Sequence, residues 1–351
     1  MLWVGIAPAA EIEWKPQTRV LIAEGGGYGR IARVGEERLL CAYSRRGAIE
    51  VRGSADDGKT WSRGFEAGRW EHGQLTNAEL LVRSDGEVWC FFNRRPSRRS
   101  PEAAKFSVGF FRSRDQGVTW SAPEMLYEAG HDFGNGCWEP AGIELPDGRV
   151  QVYFANEGPY RESNEQEITM VATADGGKSW AEPQTVSFRA GSRDGMPVPT
   201  LLPEVGGIAV AIEDNGLGGA FKPVILGTSW TGSWSGGPVE GESRQRWSAL
   251  REPLAAKTYA GAPYLRWLRR GVTVLSFQLA ESGDMADSRM AVCLGNGRAR
   301  DFGEPAFPFP EGEGQLWNSL FVKNEHTITA VTQARIDGRA GVWAIDGEVG
   351  H

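Results

Sequence analysis

Six stretches of the chain share one alternation. Each is a short apolar strand, a turn, and a second strand whose hydrophobic and polar positions alternate until it ends on a polar residue. They read IARVGEERLLCAYSR (31–45), ELLVRSDGEVWCFFNR (79–94), AGIELPDGRVQVYFANE (141–157), TLLPEVGGIAVAIED (200–214), YLRWLRRGVTVLSFQ (264–278) and LFVKNEHTITAVTQ (320–333). SDGE and PDGR carry the Asp-Gly signal of a tight hairpin; the other turns are looser. The copies recur at intervals of roughly 50–65 residues, each enough for a four-stranded unit. No helical pattern of useful length interrupts them. The pattern therefore predicts an all-β chain, a six-bladed β-propeller of four-stranded antiparallel blades. A single domain is expected over 11–351, with each hairpin as the inner pair of a blade. The segment EIEWKPQTRVLIAE (11–24) is expected to complete the last blade, so that no sheet edge stays open.

A second repeat marks three of these blades. SADDGKTW starts at Ser54, SRDQGVTW at Ser113 and TADGGKSW at Thr173. The shared pattern is Ser/Thr-x-Asp-x-Gly-x-Ser/Thr-Trp. The Asp and the first hydroxyl bond nearby backbone N–H groups, Gly supplies a positive φ, and Trp packs the turn onto the sheet. Such a word is a structural turn rather than a functional site. Blades four to six lack it. RDFGEP (300–305) is nevertheless similar to the SAPE (121–124) and AEPQ (181–184) that trail the second and third words, so blade five reads as a decayed copy.

Composition narrows the function. A chain of 351 residues with 47 Gly and 14 Trp suits many short strands, and Trp is also the usual surface on which a sugar ring stacks. A net charge of -7 without a basic run argues against nucleic acid as a partner. No apolar run reaches the roughly 18 residues of a membrane span. Residues 1–10 are expected to be a flexible N-terminus or the remnant of a signal peptide, and the compartment stays open, with secretion or the periplasm favoured. Cys41, Cys90, Cys137 and Cys293 are too widely spaced for a metal signature and are expected as buried free thiols. No metal or cofactor is expected, and a monomer is.

In a propeller the first strand leaves the central channel where the second returns to it. Residues flanking each hairpin therefore crowd one funnel mouth. Before the first strands stand Arg30, Asn77, Trp138 with Glu139, Arg193 with Asp194, Tyr259, and Trp317; after the second stand Arg45, Arg94, Glu157, Glu213, Gln278 and Gln333. Carboxylates among arginines, amides and aromatics look like a glycan site, with an oligo- or polysaccharide as the partner. Glu139, Glu157 and Glu213 lie on neighbouring blades three and four. Glycoside hydrolysis needs one carboxyl group protonated and another ionised, and like-charge repulsion supplies that split. At least two of the three are therefore expected to be catalytic. The basic loop 93–105 starts near the funnel, and Asn93–Arg95 are placed to meet substrate; Arg98 and Arg99 read as solvated.

The repeated word resembles the Asp box of sialidase-type propellers. The run NGCWEPAGIELPDGRVQVYFANE, an Asp box, and then SRDGMPVPTLLPEVGGIAVAIED resemble glycoside hydrolase family 93, the exo-1,5-α-L-arabinanases. The match is best over 130–215. The resemblance implies retaining release of a short arabinose oligosaccharide from a chain end. It implies Glu139 and Glu213 as the catalytic pair and Glu157 as a residue that positions the sugar, without dividing nucleophile from acid. Tyr259 is the expected aromatic hydroxyl near the nucleophile, with Tyr264 as its competitor. Tyr28–Ile31 is similar to the first arginine motif of sialidases. A sialidase, however, would carry Tyr near Trp317 and often Glu near Gln333. An exo-α-sialidase-like hydrolase and a non-catalytic glycan-binding propeller are the alternatives.

Overall fold

The computed structural model describes residues 11–350; the expectation for residues 1–10 lies outside them. Six antiparallel sheets follow one another along the chain. Blade one comprises Gly27–Arg33, Leu39–Arg45, Ala48–Ser54 and Phe65–Arg69. Blades two, three and four repeat that meander from Gly73–Val82, Cys137–Glu144 and Asp194–Leu202 outward. Blade five has three strands, Tyr259–Arg269, Val272–Ala280 and Arg289–Asn296. Its outer edge is reduced to a bridge between Val292 and Ala306, consistent with a worn repeat. Blade six pairs Glu313–Asn324, Thr327–Ile336 and Arg339–Val349, and the N-terminal strands Ile12–Trp14 and Val20–Glu24 both add to its last strand. First and last segments thus share one sheet and cover its edge.

The second strands are near-continuously buried because each lies between two blades. Val150–Asn156 is buried at every position. Trp89, Phe91 and Phe110 from blade two meet Ile143, Val152 and Phe154 from blade three in one apolar cluster. The four cysteines are buried and free, as their apolar flanks suggest.

The three repeated words adopt one geometry at the turn between third and fourth strands. In the first, Gly58 N–H donates to Ser54 Oγ (2.9 Å), Thr60 N–H to Asp56 Oδ1 (2.9 Å) and Thr60 Oγ1 to Asp56 Oδ2 (2.6 Å). Asp115 and Asp175 make the same bonds to Thr119 and Ser179. Gly58 must be glycine because its φ is +87°. These bonds favour the ionised carboxylates, holding Asp56 and Asp115 down to about 2 and lowering Asp175 as well. Groups with depressed folded values stabilise above their unfolded value near 3.8, and that contribution is lost as pH falls through the folded value. Thermal melts should therefore show a stability loss between about pH 4 and pH 2. The triple variant Asp56→Asn, Asp115→Asn, Asp175→Asn should flatten that limb; an unchanged limb would place the acid sensitivity elsewhere.

Candidate active site

One departure from regular pairing recurs in all six innermost strands. The register slips between Gly27 and Arg30, Thr76 and Glu79, Trp138 and Ala141, Gly195 and Val198, Gly261 and Tyr264, and Leu316 and Ser319. The bulged residue is left-handed and never glycine: Tyr28, Asn77, Glu139, Met196, Ala262 and Trp317 have φ of 50–58°. Left-handed non-glycine residues cost on the order of 1–3 kcal/mol each and gather at functional sites. Here the strain re-aims six side chains at one end of the channel. The inner strands consequently begin earlier than alternation predicts, since the bulge breaks the period of two.

Tyr28, Met196 and Ala262 form a small apolar cluster with Trp317 against it. One layer further in lies a polar floor. Arg30 is 1% exposed and binds Glu79 (3.0 Å) and the carbonyls of Gly29 (2.9 Å) and Trp317 (3.0 Å). Tyr264 Oη donates to Glu79 (3.0 Å), and Arg266 in turn donates to Tyr264. Arg30 is therefore a correction to the expected substrate-binding set: its guanidinium is engaged beneath Tyr28, whose ring it stacks on at 3.9 Å. Tyr264 belongs to the same floor, which leaves Tyr259, of the two candidates, as the hydroxyl beside Glu213.

Glu139 stands at the bulge of blade three, and Glu213 ends the second strand of blade four, opposite Gly195. Both are partly exposed. Glu213 Oε2 accepts the Ala262 N–H at 2.7 Å, gripping the bulge of blade five. Glycines make room for this carboxylate: a methyl group on Gly261 would fall 2.5 Å from Tyr259 Oη and 2.6 Å from Glu213 Oε2. A methyl group on Gly195 would fall 2.9 Å from Glu213 Oε1. Burial pushes Glu139 up to about 7, with the Arg95 charge opposing the rise and the Glu157 charge adding to it. Burial also pushes Glu213 up to about 7; the Ala262 N–H opposes and the Glu139 charge adds. The two carboxyls thus interact across the blade three–four boundary. Burial, with the charges of Glu213 and Glu139, raises the Tyr259 phenol far above its ordinary range, so it stays protonated.

Glu157 is 4% exposed and pairs with Arg193, which also bonds Gln166 Oε1. The Arg193 charge acts on both Glu139 and Glu213. Asp194, its neighbour, is a second correction. Alternation turns Asp194 inward to a cluster with both aspartates fully buried, in which Arg246 binds both Asp194 and Asp214, and the partly exposed Arg189 binds Asp214 at 3.1 Å.

The six slots after the second strands are not equivalent. Register places Ser44, Asn93, Ala155, Glu213, Gln278 and Gln333 opposite the residue before each bulge, and Glu157 two residues beyond Ala155. Arg45 and Arg94 lie one residue further, and a one-residue step reverses the face. Arg94 is a correction: it lies over the Trp70 ring at 5.2 Å instead of facing the mouth. Arg45 reaches the mouth but pairs with Glu50 (3.2 Å). Gln278 is also corrected; fully buried, its carbonyl accepts the Trp317 N–H, the task Glu213 performs one blade earlier. Trp138 is 5% exposed, packed between Phe133 (4.9 Å) and Arg95 (4.9 Å), so its ring is no free stacking surface.

A cavity of about 640 Å3 opens beside these groups, lined by Tyr28, Asn77, Arg95, Trp317, Gln333 and residues of the blade six, one and two loops. The glutamates stand off its edge, on blades three and four. Arg95 joins the two regions. It donates to Asn77 Oδ1 (2.6 Å) and Asn93 Oδ1 (3.0 Å), and its charge acts on Glu139. Period-two alternation from Asn93 was the signal for Arg95 over Arg94.

Residues 42–203 match the family model described as a BNR repeat-like domain, a span that holds all three repeated words. No curated protein matches. Among solved structures the chain is similar to the GH93 α-L-arabinofuranosidase of Fusarium graminearum in complex with arabinobiose, at 17% identity and TM-score 0.71, covering 96% of this chain and 94% of that one. It is similar to the Penicillium chrysogenum α-L-arabinanase complexed with arabinobiose at 16% identity and TM-score 0.71, covering 97% and 99%. The NanB sialidase from Streptococcus pneumoniae aligns at 11% identity and TM-score 0.63, covering 96% and 70%. At such identities the likeness is one of fold: this chain is a six-bladed β-propeller with BNR-type repeats, built like arabinanases and sialidases.

Proposed function

We propose that the protein is a glycoside hydrolase acting at glycan chain ends by a retaining, two-carboxylate mechanism, with Glu139 and Glu213 as the pair and an α-L-arabinan-type furanoside as the starting substrate class. The observation that carries this reading is two partly exposed carboxyls on adjacent blades, each raised to about 7 by burial, with the Glu139 charge adding to the rise of Glu213. At neutral pH such a pair holds one proton between its members. The protonated member donates to the glycosidic oxygen as the bond to the leaving sugar breaks. The ionised member attacks the anomeric carbon, and water then releases the sugar with the acid acting as base. Glu157 holds Arg193 beside the pair, and Tyr259 offers its hydroxyl next to Glu213. The fold of two structures holding arabinobiose supports a furanoside ligand.

Sialidase-type chemistry fits less well. It requires a tyrosine nucleophile where this chain has Trp317, and Arg30 is engaged in the floor. The pH dependence tests the reading. On an aryl α-L-arabinofuranoside, kcat/KM should be bell-shaped with limbs on either side of about pH 7. Activity that rises monotonically into alkali would contradict a shared proton.

A further inference from the structure

We propose that the glycan end entering this funnel carries a negative charge, a carboxylate or a sulfate ester, seated in the cavity between blades six, one and two. Four arginines line that cavity, Arg45, Arg46, Arg95 and Arg335, against a single carboxylate, Glu313. Only Arg45 is ion-paired, to Glu50 at 3.2 Å. Arg95 donates to two amide oxygens and Arg335 to the Gly338 carbonyl at 3.0 Å. Among the described residues neither of these, nor Arg46, has a carboxylate within ion-pair distance. Arg46 and Arg335, and Arg95 with Glu139 as the one carboxylate whose charge acts on it, therefore share one concave wall of a chain whose net charge is -7. A guanidinium fork matches the two oxygens of a carboxylate or sulfate. The wall beside them includes Gly25, Gly26 and Gly27, with the Gln333 amide packed against Gly27 and the Tyr43 ring against Gly26.

Arg95 makes this cavity part of the same site, since its charge reaches Glu139. An anion held in the cavity and a glycosidic oxygen presented to the glutamates then belong to one ligand. The inference about which bond is cut rests on the hydrolase reading; the inference about charge does not.

The test is calorimetric binding to Glu213→Gln protein of three probes: arabinotriose, a sulfated arabinotriose and trigalacturonate. At about 20 mM salt at least one anionic probe should bind roughly tenfold more tightly than arabinotriose, and the advantage should shrink at about 200 mM. Whichever anionic probe binds identifies carboxylate or sulfate as the group. Adding Arg46→Gln and Arg335→Gln, both exposed positions, should remove the preference. Equal affinity for charged and neutral probes, no measurable binding of the anionic ones, or a preference untouched by the arginine changes would overturn the proposal. Separately, product release by the wild-type protein reads the hydrolase reading, so charge-selective binding without turnover would remove only the latter.

Discussion

Glu139→Gln and Glu213→Gln should each lower turnover by roughly 10⁴-fold or more, and each should raise the melting temperature at pH 8. The two effects have one origin. In the folded chain both carboxyls titrate near 7 instead of the ordinary 4.5. A group whose folded value is raised adds stability that is fully present below about 4.5 and is lost as pH rises through about 7. At pH 8 both are ionised, and desolvation and mutual repulsion oppose the fold. An amide removes that penalty, by on the order of 1–2 kcal/mol after allowance for partial exposure, and the gain should vanish near pH 4. The fold supplies its own control. Gln278 grips the Trp317 N–H as Glu213 grips the Ala262 N–H. If Glu213 were only a backbone clamp, glutamine would serve equally and turnover would persist. Kinetics and melts at pH 4 and pH 8 on the two single variants separate the cases.

The second large effect is on stability alone. Arg246→Met should destabilise the fold by about 3–5 kcal/mol in denaturant unfolding, because it leaves two buried carboxylates without their shared cation. Asp194 and Asp214 are both fully buried. Asp194 is already pushed upward by burial, with Arg246 opposing. Adding Asp194→Asn to Arg246→Met should recover part of the loss, since one uncompensated charge is then removed. A loss below about 1 kcal/mol in the single variant would mean the cluster is hydrated.

Alternation and the Asp-x-Gly words made the blades legible, because period two and turn chemistry are local. The N-terminal strand was legible for a different reason: an odd segment before the first hairpin has one edge left to cover. The mouth was harder to read. Six left-handed residues interrupt the alternation, and Tyr28, Glu139 or Trp317 carry no local sign of positive φ. Glu139 and Glu213 stood out because they are acids near strand ends, whereas Arg94 and Asp194 were placed one residue out of phase with their strands. The Arg30–Glu79–Tyr264 floor joins residues 49 and 185 positions apart in sequence, so no local pattern announces it. Nor does one announce the Arg246–Asp194 pair, at a separation of 52.

The central claim is that carboxyls at positions 139 and 213 cut a glycosidic bond at a chain end. Proton NMR of the first products formed from neutral and anionic furanoside and pyranoside oligosaccharides tests it most directly. The account predicts a short sugar released from one end with its anomeric configuration retained, and no release by Glu139→Gln or Glu213→Gln protein. Glycans left intact across the panel, or cleavage that survives in both variants, would contradict it.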